Sequence, residues 1–233
     1  MPDVLDVPDE ELPLGTDDSD IEKPAQAPAE ATGTAATTPA RKRPKPGERR
    51  VQILQTLATM LEQPGADRIT TAALAARLQV SEAALYRHFA SKAQMFEGLI
   101  EFIESSVFTL VNQITEREGS GAAQAQKMVT LLLQFGERNP GMARVMVGDA
   151  LVFEHERLSL RMNQFFDRLE SQLRQSLRAA AEAAGSRTPT VDAQALASAL
   201  TSLAIGRLQR YARSGFKRLP TEHLEPALHR LTT

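Results

Sequence analysis

The sequence predicts an all-α protein. Apolar residues recur at three- and four-residue spacing in every periodic segment from Val51 onward, and no stretch shows the alternation of a strand. The breaks between segments carry helix-stopping or helix-capping residues, among them Pro64-Gly65, Ser81, Glu118-Gly119-Ser120-Gly121 and Asn139-Pro140-Gly141. No internal repeat is visible.

The elements follow in order. Residues 1–40 hold ten acidic residues and one lysine, with no apolar period. Such a segment buries too little surface to offset its chain entropy and reads as a disordered acidic tail. Arg41 to Arg50, RKRPKPGERR, is a basic arm whose prolines forbid a helix before Gly47. It is either a solvated linker or an arm that lies on phosphate or in a minor groove. Val51 to Glu62 is an amphipathic helix with Val51, Leu54, Leu57, Ala58 and Leu61 on one side, stopped by Pro64-Gly65. Two short helices follow, Thr71 to Leu78 and Glu82 to Phe89.

A long helix starts near Lys92 and runs to about Arg117. Phe96, Leu99, Ile100, Ile103, Val107, Leu110, Val111 and Ile114 form its stripe. Phe102 stands well off that stripe and either packs against the preceding helices or is exposed for a partner. Ala122 to Arg138 is next, then a short helix over roughly Met142 to Ala150. The helix from Glu156 to about Ala184 has Leu158, Met162, Phe165, Phe166, Leu169, Leu173 and Leu177 recurring. That pattern fits a coiled coil and fits a core helix with a charged outer face better. Thr190 and Asp192 open a helix to about Ser214, and a last one lies around His223 to Leu231. On the Asp192 helix, Ala195, Ala199, Ser202 and Gly206 form a small-residue stripe. It serves either an internal seam or a two-fold related copy of the chain.

The segment TTAALAARLQVSEAALYRHFASK, Thr70 to Lys92, carries the functional signal. Thr70 caps the first short helix, with Ile69 and Leu74 at hydrophobic-staple positions. Gln79-Val80 makes a tight turn, and Ser81 caps the second helix. Leu85 and Phe89 anchor that helix from within. Ser91 and Gln94 have capping-box spacing at the start of the next helix. This is the layout of a helix-turn-helix. Its second helix presents Glu82, Ala83 and Ala84 at the end that approaches base edges. Small side chains there permit close backbone approach and contact with thymine methyls. Tyr86, Arg87 and His88 face outward or flank the buried side, the rings of Tyr86 and His88 offering polar tips to phosphate. Lys92 adds charge at a helix N-terminus. Thr70, Thr71 and Ser81 complete the expected DNA-facing set. The competing arrangement is a plain helical hairpin with Tyr86 and His88 packed between helices.

Composition narrows the rest. There is no cysteine, which removes disulfides and thiolate metal sites, and no apolar run reaches the ~18 residues of a membrane span. The acidic start is unlike a signal peptide, so the expected location is cytoplasmic. Residues 41–233 hold 26 basic and 19 acidic residues, a cationic fold suited to a polyanionic partner. His88, His155, His223 and His229 show no metal-ligand spacing. With no phosphate loop or nucleophile elbow, neither an enzyme, a cofactor nor a metal is expected.

LYRHFASKAQMFEGLI and the residues around it, 47–107, resemble the DNA-binding domain of the TetR family. The resemblance implies a three-helix reader (motif 70–89), a helical second domain over 108–233 and a homodimer, with residues 1–46 as tail and arm. ITTAALAARLQVSEAALYRHFASKAQMFEGLIEFIE, FGERNPGMARVM and ALVFEHERL resemble one branch of that family, nucleoid occlusion factors of the SlmA type. This implies double-stranded DNA as one partner and the C-terminal tail of the division protein FtsZ as another, on a nucleoid-associated protein. It also implies that Phe102, Leu131, Arg138 and Asn139 form the tail-binding groove. Read alone, Arg138 and Asn139 are also ordinary helix-terminating residues. Residues 1–45 have no counterpart in the resemblance, and Leu110 is apolar where relatives can be basic. The alternative is a ligand-responsive TetR-type repressor, which needs a closed apolar pocket with convergent polar groups.

Overall fold

The computed structural model describes residues 47–63 and 68–232, all within one compact unit. The acidic tail, most of the basic arm and the Pro64-Gly65 stop lie outside the described residues. Every regular element among the described residues is helical.

The first helix, α1, spans Glu48–Leu61 and begins three residues earlier than its apolar pattern implies. Glu48, Arg49 and Arg50 are therefore its first turn and not part of an arm. Its buried face is Ile53, Leu57 and Leu61, while Val51 is 53% exposed. Arg50 lies on the side that Ile53, Leu57 and Leu61 continue, and its guanidinium stacks 4.2 Å from the Phe89 ring.

The helices α2 (Thr71–Leu78) and α3 (Glu82–Tyr86) form the expected pair. Gln79 takes a left-handed conformation (φ 56°) and closes the turn, and Val80 is half-buried in it. The α-helical part of α3 ends three residues short of Phe89. There the amides of His88 and Phe89 both donate to the Leu85 carbonyl, and the tightened turn still delivers Phe89 into the core.

The long helix α4 (Lys92–Arg117) joins this head to the body without a break, so residue 107 lies inside a continuous rod. It buries more than one stripe, because α1 and α6, α5 and α7 all pack on it. Met95 and Phe108 are thus buried although both fall outside the expected face, and Leu110 is exposed. The body continues with α5 (Gly121–Arg138), α6 (Pro140–Met146), a 3-10 turn at Asp149–Leu151, α7 (Glu156–Ala183), α8 (Pro189–Arg213) and α9 (Leu224–Thr232). Pro140 starts α6 two residues before the expected Met142, since proline suits the first helical position, and α6 ends at Met146. The apolar residues expected on α7 are all buried, and α7 packs along most of α8.

Two glycines set how closely layers approach. A Cβ on Gly121 would lie 2.1 Å from the Ser176 carbonyl oxygen of α7, and one on Gly141 would lie 2.2 Å from the Ala58 carbonyl oxygen of α1. The second contact matters for function, because α6 is what seats the head on the body. Arg144 of α6 reinforces it by donating to the Leu61 and Gln63 carbonyls at 3.3 and 3.5 Å.

Candidate nucleic-acid interface

The head is built around three N-terminal caps. The hydroxyls of Thr70, Ser81 and Ser91 accept from the amides of Ala73, Ala84 and Gln94 at 3.1, 3.3 and 3.2 Å. Gln94 completes the capping box one residue earlier than expected, accepting from the Ala90 amide at 2.8 Å. The Thr71 hydroxyl donates to the Glu82 carboxylate at 2.5 Å and ties the front of α3 to the start of α2. Ile69, Leu74, Leu78, Leu85 and Phe89 are buried beneath, so the reader is held rigidly.

What this frame leaves outside is Ser81, Glu82, Ala83, Tyr86, Arg87 and His88, all exposed, with Ala84 half-buried. Tyr86 is 47% exposed. The packed-hairpin alternative therefore fails: neither Tyr86 nor His88 is taken up by a helix contact. A cavity of about 280 Å³ opens between α1 and α3, lined by Arg49, Ile53, Val80, Ala84, Leu85, Arg87 and His88. Its apolar floor and basic rim suit a sugar-phosphate backbone lying over it.

Lys92 departs from the expected picture. Its ammonium lies over the Phe96 ring at 5.6 Å and pairs with Glu154, which comes from the turn before α7. It is not a free cation waiting for phosphate. Arg50 is likewise engaged within the fold, donating to the His88 carbonyl at 3.1 Å while stacking on Phe89. Nothing local in sequence signals either contact, because the partners lie 62 and 38 residues away.

The second set of expected residues comes together on the body. Phe102 on α4 is 48% exposed, and its ring centroid lies 6.3 Å from that of Phe135 on α5. Leu131 is half-buried on α5, Arg138 is exposed at its end, and Asn139 donates its side-chain amide to the Phe135 carbonyl at 2.8 Å. Phe135 was missed as a member of this cluster, although its spacing from Leu131 and Asn139 places all three on one face of α5. Phe102 is thus outside the head core, and Asn139 does serve the helix end.

The small-residue stripe of α8 also faces out. Ala195, Ala199 and Ser202 are exposed, and a Cβ on Gly206 would meet nothing within 4 Å. Among the described residues no helix packs over Ala195, Ala199 and Ser202, which speaks against an internal seam. Ser202 and Gly206 line a cleft of about 700 Å³ together with Arg207, Arg210 and the loop after α8.

Comparison with known proteins places this geometry. Residues 53–99 match the family described as "Bacterial regulatory proteins, tetR family", and residues 122–233 match the SlmA-like family described as "Tetracyclin repressor-like, C-terminal domain". The nucleoid occlusion factor SlmA of Idiomarina loihiensis is 54% identical over 175 residues, covering 75% of this chain and 89% of the relative. That of Photobacterium profundum is 52% identical over 182 residues, covering 78% and 92%. Among solved structures, the TetR-family regulator PfmR from Thermus thermophilus superposes with a TM-score of 0.62 at 19% identity, covering 78% of this chain and 95% of that one. The regulator FadR from Bacillus subtilis, solved with stearoyl-CoA, gives 0.63 at 12%, covering 78% and 97%. These two likenesses establish the fold.

Proposed function

The chain belongs to the SlmA family of nucleoid occlusion factors, DNA-binding regulators of the TetR type and not enzymes, and we propose how its surfaces divide the work. The front of α3, with Thr70, Thr71, Ser81, Glu82, Ala83, Ala84, Tyr86, Arg87 and His88, enters a groove of double-stranded DNA. The open stripe of α8 joins two copies, so that two readers meet half-sites about one helical turn apart, ~34–36 Å. The groove between α4 and α5 takes the C-terminal tail of FtsZ. Apolar tail side chains lie against Phe102 and Phe135, and Arg138 pairs with a tail carboxylate.

The observation that carries this reading is the coexistence of two open surfaces on one compact unit, a capped reader and an exposed Phe102 set beside the half-buried Phe135, in a chain at least 52% identical to SlmA proteins over nine tenths of their length. Held on the nucleoid by DNA, many copies face the division filament at high local concentration, so a modest affinity at each groove is enough to block ring assembly. No helix among the described residues is long and apolar enough to cross a membrane, and the proposed location is the nucleoid within the cytoplasm. A ligand-responsive repressor is the weaker reading. The 700 Å³ cleft is open and lies on the outer side of α8, and the inward faces of α4, α5 and α7 are filled by fully buried side chains.

The test is a pair of binding isotherms, one for duplex DNA and one for the FtsZ tail peptide. Phe102→Ala combined with Arg138→Asp keeps DNA affinity within about twofold and weakens the peptide at least tenfold. Unchanged peptide capture sinks the groove assignment.

A further inference from the structure

Three ion pairs tie α4 to the start of α7 and the turn before it. Glu104 binds Arg161 through two hydrogen bonds of 2.9 and 2.6 Å, and Glu97 binds Arg157 at 2.7 Å. The third, nearest the head, is Lys92 with Glu154. Its polarity is reversed: at the first two α4 supplies the acid, and here it supplies the cation. The reversal falls at the first residue of α4, where the helix dipole favours an anion.

We infer that Lys92 is a shared cation, held by Glu154 in the free protein and surrendered to a DNA phosphate when the head docks, so that DNA binding unlatches the turn carrying Val152 and Phe153. The inference rests on the reading that the head binds DNA.

The position of the ammonium supports competition over cooperation. It is engaged by both the Phe96 ring and the Glu154 carboxylate, so a phosphate at the start of α4 has to draw it from partners it already holds. To reach that phosphate the side chain swings back and leaves Glu154. The Glu154 side chain is only 8% exposed, against 24% for Lys92. A carboxylate that shielded does not stay unpaired at low cost, and the relief available is to turn outward to water. Its neighbours allow this. Gly148 (φ 85°) opens the segment, a single turn of 3-10 helix follows, and Val152 and Phe153 stand 70% and 64% exposed, with little packing to resist movement. Ala150 and Leu151 are buried and fix the other end, so the motion is confined to residues 152–155.

The consequences are measurable in the full-length protein. Glu154→Gln removes the competitor and tightens DNA binding about threefold to tenfold, with a steeper salt dependence because Lys92 then enters the complex as an uncompensated charge. In a Lys92→Met background the same Glu154→Gln change has no effect on DNA affinity, and this double-mutant cycle separates the latch from any general loss of stability. The chain contains no tryptophan, so Phe153→Trp gives a single indole reporter beside the latch. Saturating duplex DNA shifts its emission and its quenching by acrylamide, and adding Glu154→Gln gives the DNA-free protein a spectrum close to the DNA-bound one. Wild-type protein that selects no duplex from sheared genomic DNA refutes the DNA reading itself and the latch with it. Wild-type protein that binds DNA, with Glu154→Gln binding no tighter or the indole blind to DNA, refutes the latch alone.

Discussion

Gly141→Ala tests the seat of the head. The added Cβ would stand 2.2 Å from the Ala58 carbonyl oxygen, 3.0 Å from its carbon and 3.3 Å from the Leu61 Cβ. The nearest atom is backbone, the Ala58 carbonyl oxygen in the last turn of α1, so no side-chain rotation relieves it. Carbon and oxygen do not approach closer than about 3 Å, and α1 and α6 must part by about 0.8 Å at this point. Overpacking of this kind costs about 1–3 kcal/mol. The two Arg144 bonds to Leu61 and Gln63, at 3.3 and 3.5 Å, stretch out of range, for about 1 kcal/mol more. Alanine returns up to about 1 kcal/mol through helix propensity, less here because the position is in the first turn. The net is about 2 kcal/mol, or roughly 4–8 °C in Tm for a folded unit of this size.

The assay is thermal unfolding followed by circular dichroism, with Gly119→Ala as control. No atom lies within 4 Å of a Cβ at Gly119, so its Tm stays within about 2 °C of wild type. DNA affinity adds a second reading, because a head displaced on its seat no longer matches half-site spacing and loses about tenfold. A Gly141→Ala protein that melts with wild type and binds DNA as tightly refutes the view that α6 positions the reader.

Two further expectations follow from the body. Gly206→Glu puts a charge on the open stripe of α8, where an added Cβ meets nothing within 4 Å among the described residues, and yields monomers that lose site-specific DNA binding; a dimer mass by light scattering contradicts it. Tyr211 is raised above its ordinary pKa, first by burial and then by the Glu137 and Glu62 charges, and its hydroxyl donates to the Glu137 carbonyl at 3.0 Å. Its contribution is therefore intact below pH ~10 and is lost as pH rises past that point. Tyr211→Phe costs about 1 kcal/mol at neutral pH and flattens the alkaline loss; equal slopes of stability against pH for the two proteins argue against it.

What the sequence made legible was local. Caps at Thr70, Ser81 and Ser91 depend on residues three positions apart, and each is made by the atoms that spacing implies. The exposed face of α3 followed from burying Leu85 and Phe89. The features that escaped depend on distant partners. Ile53 replaced Val51 on the buried face of α1 because α2, α4 and α6 pack on that side, and all three lie later in the chain. Phe108 is core because Phe165 of α7 meets it at 5.3 Å, which no period within α4 encodes. Lys92 has the residue type and position of a phosphate contact, and only the fold reveals that Glu154 already holds it.

The same distances constrain how the two proposed sites communicate. Asn139 ends α5 beside Phe135, Pro140 begins α6, and Gly141 already rests on α1. The polar end of the proposed tail groove and the seat of the reader are thus two residues apart. On the other side, Lys92 and Phe102 stand ten residues apart on one unbroken helix, about 15 Å along its axis. Any free energy passed between DNA and the division protein need not travel a chain of side chains; it can act as a small rigid-body shift of α4 and α6 together. Coupling of that kind is reciprocal. A DNA site that tightens tail binding must be tightened by the tail by the same factor, and a substitution such as Gly141→Ala that loosens the seat lowers both effects together.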